Sequence, residues 1–242
     1  MIVLLLAVPV GVLIGGIGVG GVLLPPALVY AGGLDVHVAA GTSSWCFLFT
    51  GVVGTLAYAR TRAVPWALTG RLTLGIAPAA VLGAQVNGLV SATVVWLLLG
   101  AITLGAGIHR LGSRRGGERT GLPRSAALAI GTVVGFGSAM TGTGGPVLLV
   151  PVLLVLGMAP VTAIAASQVI QLPLVGFAVL GYATTGSVDY GLGTRLGVLA
   201  AAGVLASAFV VGRLRPQALN RVAAVLLVVV GISLFTLPFL LG

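Results

Sequence analysis

Lysine is absent from this 242-residue chain, acidic residues number three (Asp35, Glu118, Asp189), and cysteine occurs once, at Cys46. Each scarcity removes a class of protein. Charged residues make up 6% of the chain where soluble domains carry about a quarter, so a water-facing shell cannot be assembled. A single cysteine rules out an intrachain disulfide and a thiolate metal cluster, and reads as a small core residue. His37 and His109 have no acidic or cysteine partner at ligand spacing, which argues against zinc or haem. No carboxylate dyad or nucleophile–base pair stands out, and Gly142-Thr143-Gly144-Gly145 lacks the lysine of a nucleotide-binding phosphate loop. The expectation is a protein that is not an enzyme and carries no cofactor and no metal.

What fills the chain instead is apolar: 58% of residues are hydrophobic, in runs that approach or exceed the roughly 20 residues a helix needs to span hydrocarbon. The class expected is an all-α, polytopic membrane protein whose first partner is the lipid bilayer. The 39 glycines and 12 prolines would break soluble helices, but in membranes small residues let helices approach closely, and broken helices survive where they line a cavity. The net charge of +9 comes from twelve arginines scattered between apolar runs, the pattern of cytoplasmic loops rather than of a nucleic-acid surface. The start, Met1-Ile2-Val3-Leu4, has no basic segment and reads as a retained membrane segment, not a cleaved signal peptide.

Sliding the sequence against itself by 124 residues sets Gly18, Gly20 and Gly21 on Gly142, Gly144 and Gly145. The same offset sets Gly33 on Gly157, Ser43 on Ser167, Tyr58 on Tyr182 and Arg71 on Arg195. Glycine matches are cheap in so glycine-rich a chain; paired tyrosines and arginines are not. The chain reads as two copies of one unit, 1–109 and 124–242, joined by a basic cytoplasmic loop at 110–123.

The first apolar block of each copy, 1–32 and 124–157, would measure about 48 and 51 Å as unbroken helix against about 30 Å of hydrocarbon. Each has a glycine cluster near its middle, so a break is expected there. The block either crosses as a kinked helix or enters and returns as a re-entrant hairpin. With eight crossings, Arg213, Arg215 and Arg221 fall opposite Arg60, Arg62 and the 110–124 arginines, against the positive-inside rule. With two hairpins all ten loop arginines share one face, and Asp35, His37, Asn87 and Asp189 share the other. The hairpin reading also gives each copy an odd number of crossings, hence two inverted repeats, each a broken hairpin plus three spans. The expected map is hairpin 1–32, spans near 36–59, 66–86 and 89–109, hairpin 124–157, and spans near 159–182, 190–212 and 218–241. Both termini then face outside.

The segments Gly18-Val19-Gly20-Gly21-Val22-Leu23-Leu24-Pro25 with Val38-Ala39-Ala40-Gly41-Thr42-Ser43, and Gly142-Thr143-Gly144-Gly145-Pro146-Val147-Leu148-Leu149-Val150-Pro151 with Ala163-Ile164-Ala165-Ala166-Ser167, resemble the TauE/SafE family. The resemblance covers nearly the whole chain. It implies a multi-pass plasma-membrane transporter of sulfite, a sulfonate or a related anion. Where the first copy reads Thr42-Ser43-Ser44 the second reads Ser167-Gln168, so any site is not strictly symmetric.

A hairpin broken at mid-membrane exposes the N-terminus of its returning half-helix, whose free N–H groups and positive dipole end attract an anion. The candidate substrate-binding residues are therefore Gly20, Gly21, Gly144 and Gly145, with Thr141, Thr143, Ser43 and Ser167 as hydroxyl donors. The same glycines would also serve plain helix packing. Arg71 and Arg195, each about five residues inside a span with no acid nearby, join the candidates as charge partners for an anion; snorkelling to the interface is the alternative for both. Gln168 and Gln171 suit either pore lining or interhelical hydrogen bonding, the second more readily. Asp35 and Asp189 fall at the outer face, leaving no mid-membrane carboxylate to carry protons. The expected function is a secondary transporter exporting a small sulfur-containing anion such as sulfite, thiosulfate or a sulfonate, with a membrane scaffold or membrane-embedded enzyme as the competing class.

Overall fold

The structure is a computed structural model that describes residues 2–18, 20–60, 63–112, 121–211, 221, 224–225, 227–233 and 235. Arg62, Arg213, Arg215, most of the basic loop and part of the last expected span lie outside the described residues. Among those described, all regular structure is helical: α1 (Ile2–Ile17), a 3-10 turn (Gly20–Leu23), α2 (Leu24–Tyr30), α3 (Val36–Ala59), α4 (Trp66–Asn87), α5 (Ala92–Gly112), α6 (Arg124–Thr141), α7 (Pro146–Val155), α8 (Pro160–Thr185) and α9 (Tyr190–Val211). The expected all-α polytopic architecture is what the fold shows. Among the described residues four helices, α3, α4, α8 and α9, are long and apolar enough to cross a membrane.

The two blocks too long for one crossing are both broken, and at their glycine clusters. α1 stops where Gly18 takes φ +70°, and α6 stops on Gly142 at φ +68°. The second stop is a left-handed cap in which Thr143 N–H donates back to the Ser138 carbonyl at 3.1 Å. Proline then restarts each helix, Pro25 in the first turn of α2 and Pro146 at the head of α7, where a missing N–H costs nothing. The chain turns back on itself after each break. A Cβ on Gly20 would collide with the α1 backbone at Val10 and Ile14, and one on Gly137 of α6 would press on Leu148 of α7. Neither the 16 residues of α1 nor the 10 of α7 reach about 30 Å of hydrocarbon on their own.

The core is apolar, as in a soluble protein, but the outward surface is apolar as well and a set of polar side chains is buried. Large apolar side chains such as Leu5, Leu56, Leu74, Leu82, Val133 and Leu180 point outward, while Thr42, Ser43, Thr50, Ser138, Thr141, Ser167, Gln168 and Gln171 are buried. In lipid there is no hydrophobic gain from pairing helices, so close backbone approach and interhelical hydrogen bonds hold the bundle together. α1 packs mainly on α9 and α6 on α4, while α3 and α8 lie against each other and against α9 and α4. Individual contacts recur at the offset of 124. Gly11 sits on the Ala200 backbone and Gly135 on that of Ile76, each too close for a side chain. The Tyr58 hydroxyl donates to the Gly15 carbonyl at 2.9 Å, and the Tyr182 hydroxyl to that of Ala139. Each tyrosine thereby ties a third-element span to the end of a broken helix.

Tyr182 is fully buried, so Tyr182→Phe should cost about 1 kcal/mol, the net worth of one buried hydrogen bond, and lower the thermal midpoint in detergent. An unchanged midpoint would show that the tyrosine is packing only.

Candidate functional site

The two breaks meet inside the bundle. A Cβ on Gly21 would run into the Thr143 carbonyl, so the first tip touches the second, backbone to backbone. α3 and α8 clamp them from the sides: Gly142 lies on the Ala40 backbone, Gly144 on the Phe47 ring and Gly145 on Leu174 and Ile170. Gly144 and Gly145 take φ +78° and +97°, a backbone shape that side-chain-bearing residues rarely adopt. Between the tips lies an interstice of about 150 Å³ lined by Ile14, Gly21, Phe47, Thr143, Pro146 and Gln171, too narrow for a water molecule. The tips are therefore shut.

The polar groups around this point are neutral, and several are unsatisfied. The amides of Gly144, Gly145 and Val147 donate to no acceptor among the described residues, at the positive end of α7. Thr141 Oγ1 donates to Gly137 O at 2.8 Å and lies 3.2 Å from Thr143 Oγ1. Ser167 Oγ donates to Ala163 O at 2.6 Å, but Ser43 Oγ and Ser138 Oγ are buried without a partner. Ser43 stands on the face of α3 that carries Ala40 and Phe47, the residues against which Gly142 and Gly144 pack. An orphaned buried hydroxyl costs about 1–3 kcal/mol unless a ligand or a water meets it.

The structure brings together Gly21, Thr143, Gly144 and Gly145, and places Thr141 and Ser43 beside them; Gly20 faces back onto α1. The arginines are elsewhere. Both are on exposed helix faces: Arg71 Nη1 donates to the Leu122 carbonyl at 3.1 Å, and Arg195 Nε to the Gly191 carbonyl at 3.3 Å. Neither lines the interstice.

Gln171 and Phe47 are the residues whose role was least visible beforehand. Gln171 Nε2 donates to Phe47 O at 3.1 Å and to Thr50 Oγ1 at 2.8 Å, so its Oε1 is left without a donor. Gln168 does the same one turn away, donating to Ile14 O at 2.8 Å with Oε1 unpaired. Because carbonyls can only accept, these bonds fix which amide atom is which. Phe47 and Gln171 stand 124 positions apart, so the contact joins equivalent positions of the two copies. On the far side, Asn87 Nδ2 donates to Met140 O at 2.7 Å and its Oδ1 meets His37 Nδ1 at 3.0 Å, fastening the end of α6 to the ends of α3 and α4.

The sequence model of the sulfite exporter TauE/SafE family matches residues 3–234. The chain belongs to this family. It is thus a multi-pass membrane transporter. It is also similar to the probable membrane transporter protein YunE of Bacillus subtilis (strain 168), 28% identical over 244 residues covering 90% of this chain and 86% of that protein. No solved structure matches.

Ser43→Ala separates a transport role from a structural one. Removing an unpartnered buried hydroxyl should leave thermal stability equal or higher while reducing substrate flux several-fold, measured on the same preparation in detergent and in proteoliposomes. Stability that falls while flux holds would make Ser43 a packing residue.

Proposed function

We propose that this TauE/SafE family member is a secondary transporter that exports a small sulfur-containing anion, such as sulfite, thiosulfate or a sulfonate, across the plasma membrane. The anion is held where the two broken helices meet, by the amides of Gly144 and Gly145 at the head of α7, with Gly20 and Gly21 opposite and the hydroxyls of Ser43, Thr141, Thr143 and Ser167 around it. The observation that carries this reading is the set of buried, unpartnered donors, Ser43 Oγ and the Gly144, Gly145 and Val147 amides, gathered at the junction of two helix breaks. Helix N-termini of this kind bind anions without a formal cation, which suits a site that neither Arg71 nor Arg195 lines.

In this reading the chain is two inverted copies, 1–109 and 124–242, with the 110–123 loop in the cytoplasm and both termini outside. The helix partnerships and tyrosine bonds that recur at the offset of 124 support the duplication. The charge distribution supports the inversion. The shut interstice is then one state of a cycle in which the halves rock against each other and open the junction to either side in turn. An anion leaving an inside-negative cell is driven by about 2.3 kcal/mol per charge per 100 mV, so export requires no buried carboxylate to couple it to protons.

Two measurements test the proposal. Proteoliposomes loaded with sulfite, thiosulfate or methanesulfonate should release at least one of them under an imposed inside-negative potential, and Gly144→Leu should cut that flux at least tenfold; retention of all three would end the reading. Single cysteines replacing Leu89 and Ser113 in a Cys46→Ala background should react with an impermeant thiol reagent from opposite sides of the membrane. Reaction of both from the same side would contradict the topology.

A further inference from the structure

The outward surface between α3 and α9 carries an open apolar groove of about 450 Å³, walled by Trp45, Phe49, Val52, Val198, Ala202 and Leu205 among others. The two helices start at the same end. Gly41 abuts Ser187 and Val188, Gly193 abuts Thr42 and Trp45, and Gly197 abuts Phe49, so the groove runs along a parallel pair from its interfacial end inward. Trp45 stands at that end, its Nε1 donating to Thr194 Oγ1 at 2.9 Å and its ring edge-on to Tyr190 with centroids 5.1 Å apart. A tryptophan and a tyrosine at one level mark the depth of lipid headgroups.

Arg195 completes the arrangement. It lies three, seven and ten residues before Val198, Ala202 and Leu205, on the same stripe of α9. Helical side chains lean toward the N-terminus, and Arg195 Nε indeed reaches back to Gly191 O, in the first turn of α9. The guanidinium therefore sits at the interfacial mouth of the groove, with no acceptor for its Nη groups among the described residues. The neighbouring carboxylate, Asp189, is occupied at the start of α9, where its Oδ1 accepts from Leu192 N–H at 2.9 Å.

We propose that an anionic phospholipid binds here, with one acyl chain along the groove between α3 and α9 and its phosphate on the Arg195 guanidinium. The groove offers apolar walls with almost no polar atoms, which suits a hydrocarbon chain. A planar five-donor cation one helical turn above it suits a phosphate, and bidentate pairing of this kind is the geometry guanidinium favours. One such cation near a membrane surface gives roughly a fivefold preference for an anionic over a zwitterionic headgroup. The inference stands apart from the transport site, since it needs neither the hairpin tips nor any flux.

Trp45 supplies the reporter. In the full-length protein carrying Trp66→Phe and Trp96→Phe, reconstituted in phosphatidylcholine, a small fraction of phosphatidylglycerol with brominated acyl chains should quench Trp45. It should do so with about fivefold higher apparent affinity than brominated phosphatidylcholine. Arg195→Gln should abolish that difference while leaving quenching by brominated phosphatidylcholine intact, and Ala202→Phe, which fills the groove, should weaken quenching by both. Protein retaining only Trp66, which is 54% exposed, gives the level for ordinary surrounding lipid. Equal quenching by the two headgroups, or a preference that survives Arg195→Gln, overturns the proposal. So does Trp45 quenching that falls below the Trp66 level with both lipids, which would mean that another copy of the chain covers the groove.

Discussion

A backbone that stops being helical inside hydrocarbon must bury its freed N–H and C=O groups within protein, because lipid offers them nothing. That requirement organises this molecule. Two apolar blocks break at their glycine clusters, and both breaks end up in the same place, pressed together at Gly21 and Thr143 and walled in by α3 and α8. The long spans exist to surround that junction: α4 backs the second broken helix, α9 backs the first, and tyrosines from α3 and α8 tie down the ends of α1 and α6. Polar side chains gather inside because the breaks are there, and the outward faces can be left largely apolar.

The same requirement links structure to transport. Breaking a helix frees amides, and at the head of α7 they find no acceptor among the described residues, beside a serine hydroxyl that finds none either. Such a cluster of donors is a standing demand for acceptors. An oxyanion supplies several at once, and it also answers the positive end of the helix dipole. The interstice as it stands is too tight for a water, so under the proposed cycle the demand would be met only when the two halves part. The proposed binding and opening would thereby be coupled through one junction rather than through a remote switch.

Much of this architecture was legible in the sequence because membrane insertion leaves coarse, long-range marks. Apolar run length placed α3 and α4 to within a residue, and the start of α8 to within one, since a span cannot be much shorter than the hydrocarbon it crosses. The glycine clusters gave the breaks because the left-handed φ at Gly18 and Gly142 is cheap for glycine alone. What could not be read was the direction in which side chains point. Arg71 and Arg195 sit inside apolar runs, yet both lie on exposed faces, Arg71 reaching across to the Leu122 carbonyl ahead of α6 and Arg195 back to the Gly191 carbonyl in the first turn of α9, a matter of rotamer and helix rotation that run length does not encode. The bond from Gln171 to Phe47 joins residues on different spans, a pairing that run length and glycine position do not encode. α8 runs on to Thr185, three residues past its expected end, because Gly186 rather than any change in hydropathy stops it.

The central claim is that the backbone at the head of α7 holds the transported anion, and hydrogen–deuterium exchange over residues 142–149 tests it most directly. In the purified full-length protein, saturating sulfite should slow exchange across this segment while leaving the outer ends of α4 and α9 unaffected, since bound amides are protected and free ones are not. Exchange over 142–149 that is indifferent to sulfite, thiosulfate and methanesulfonate alike would contradict it.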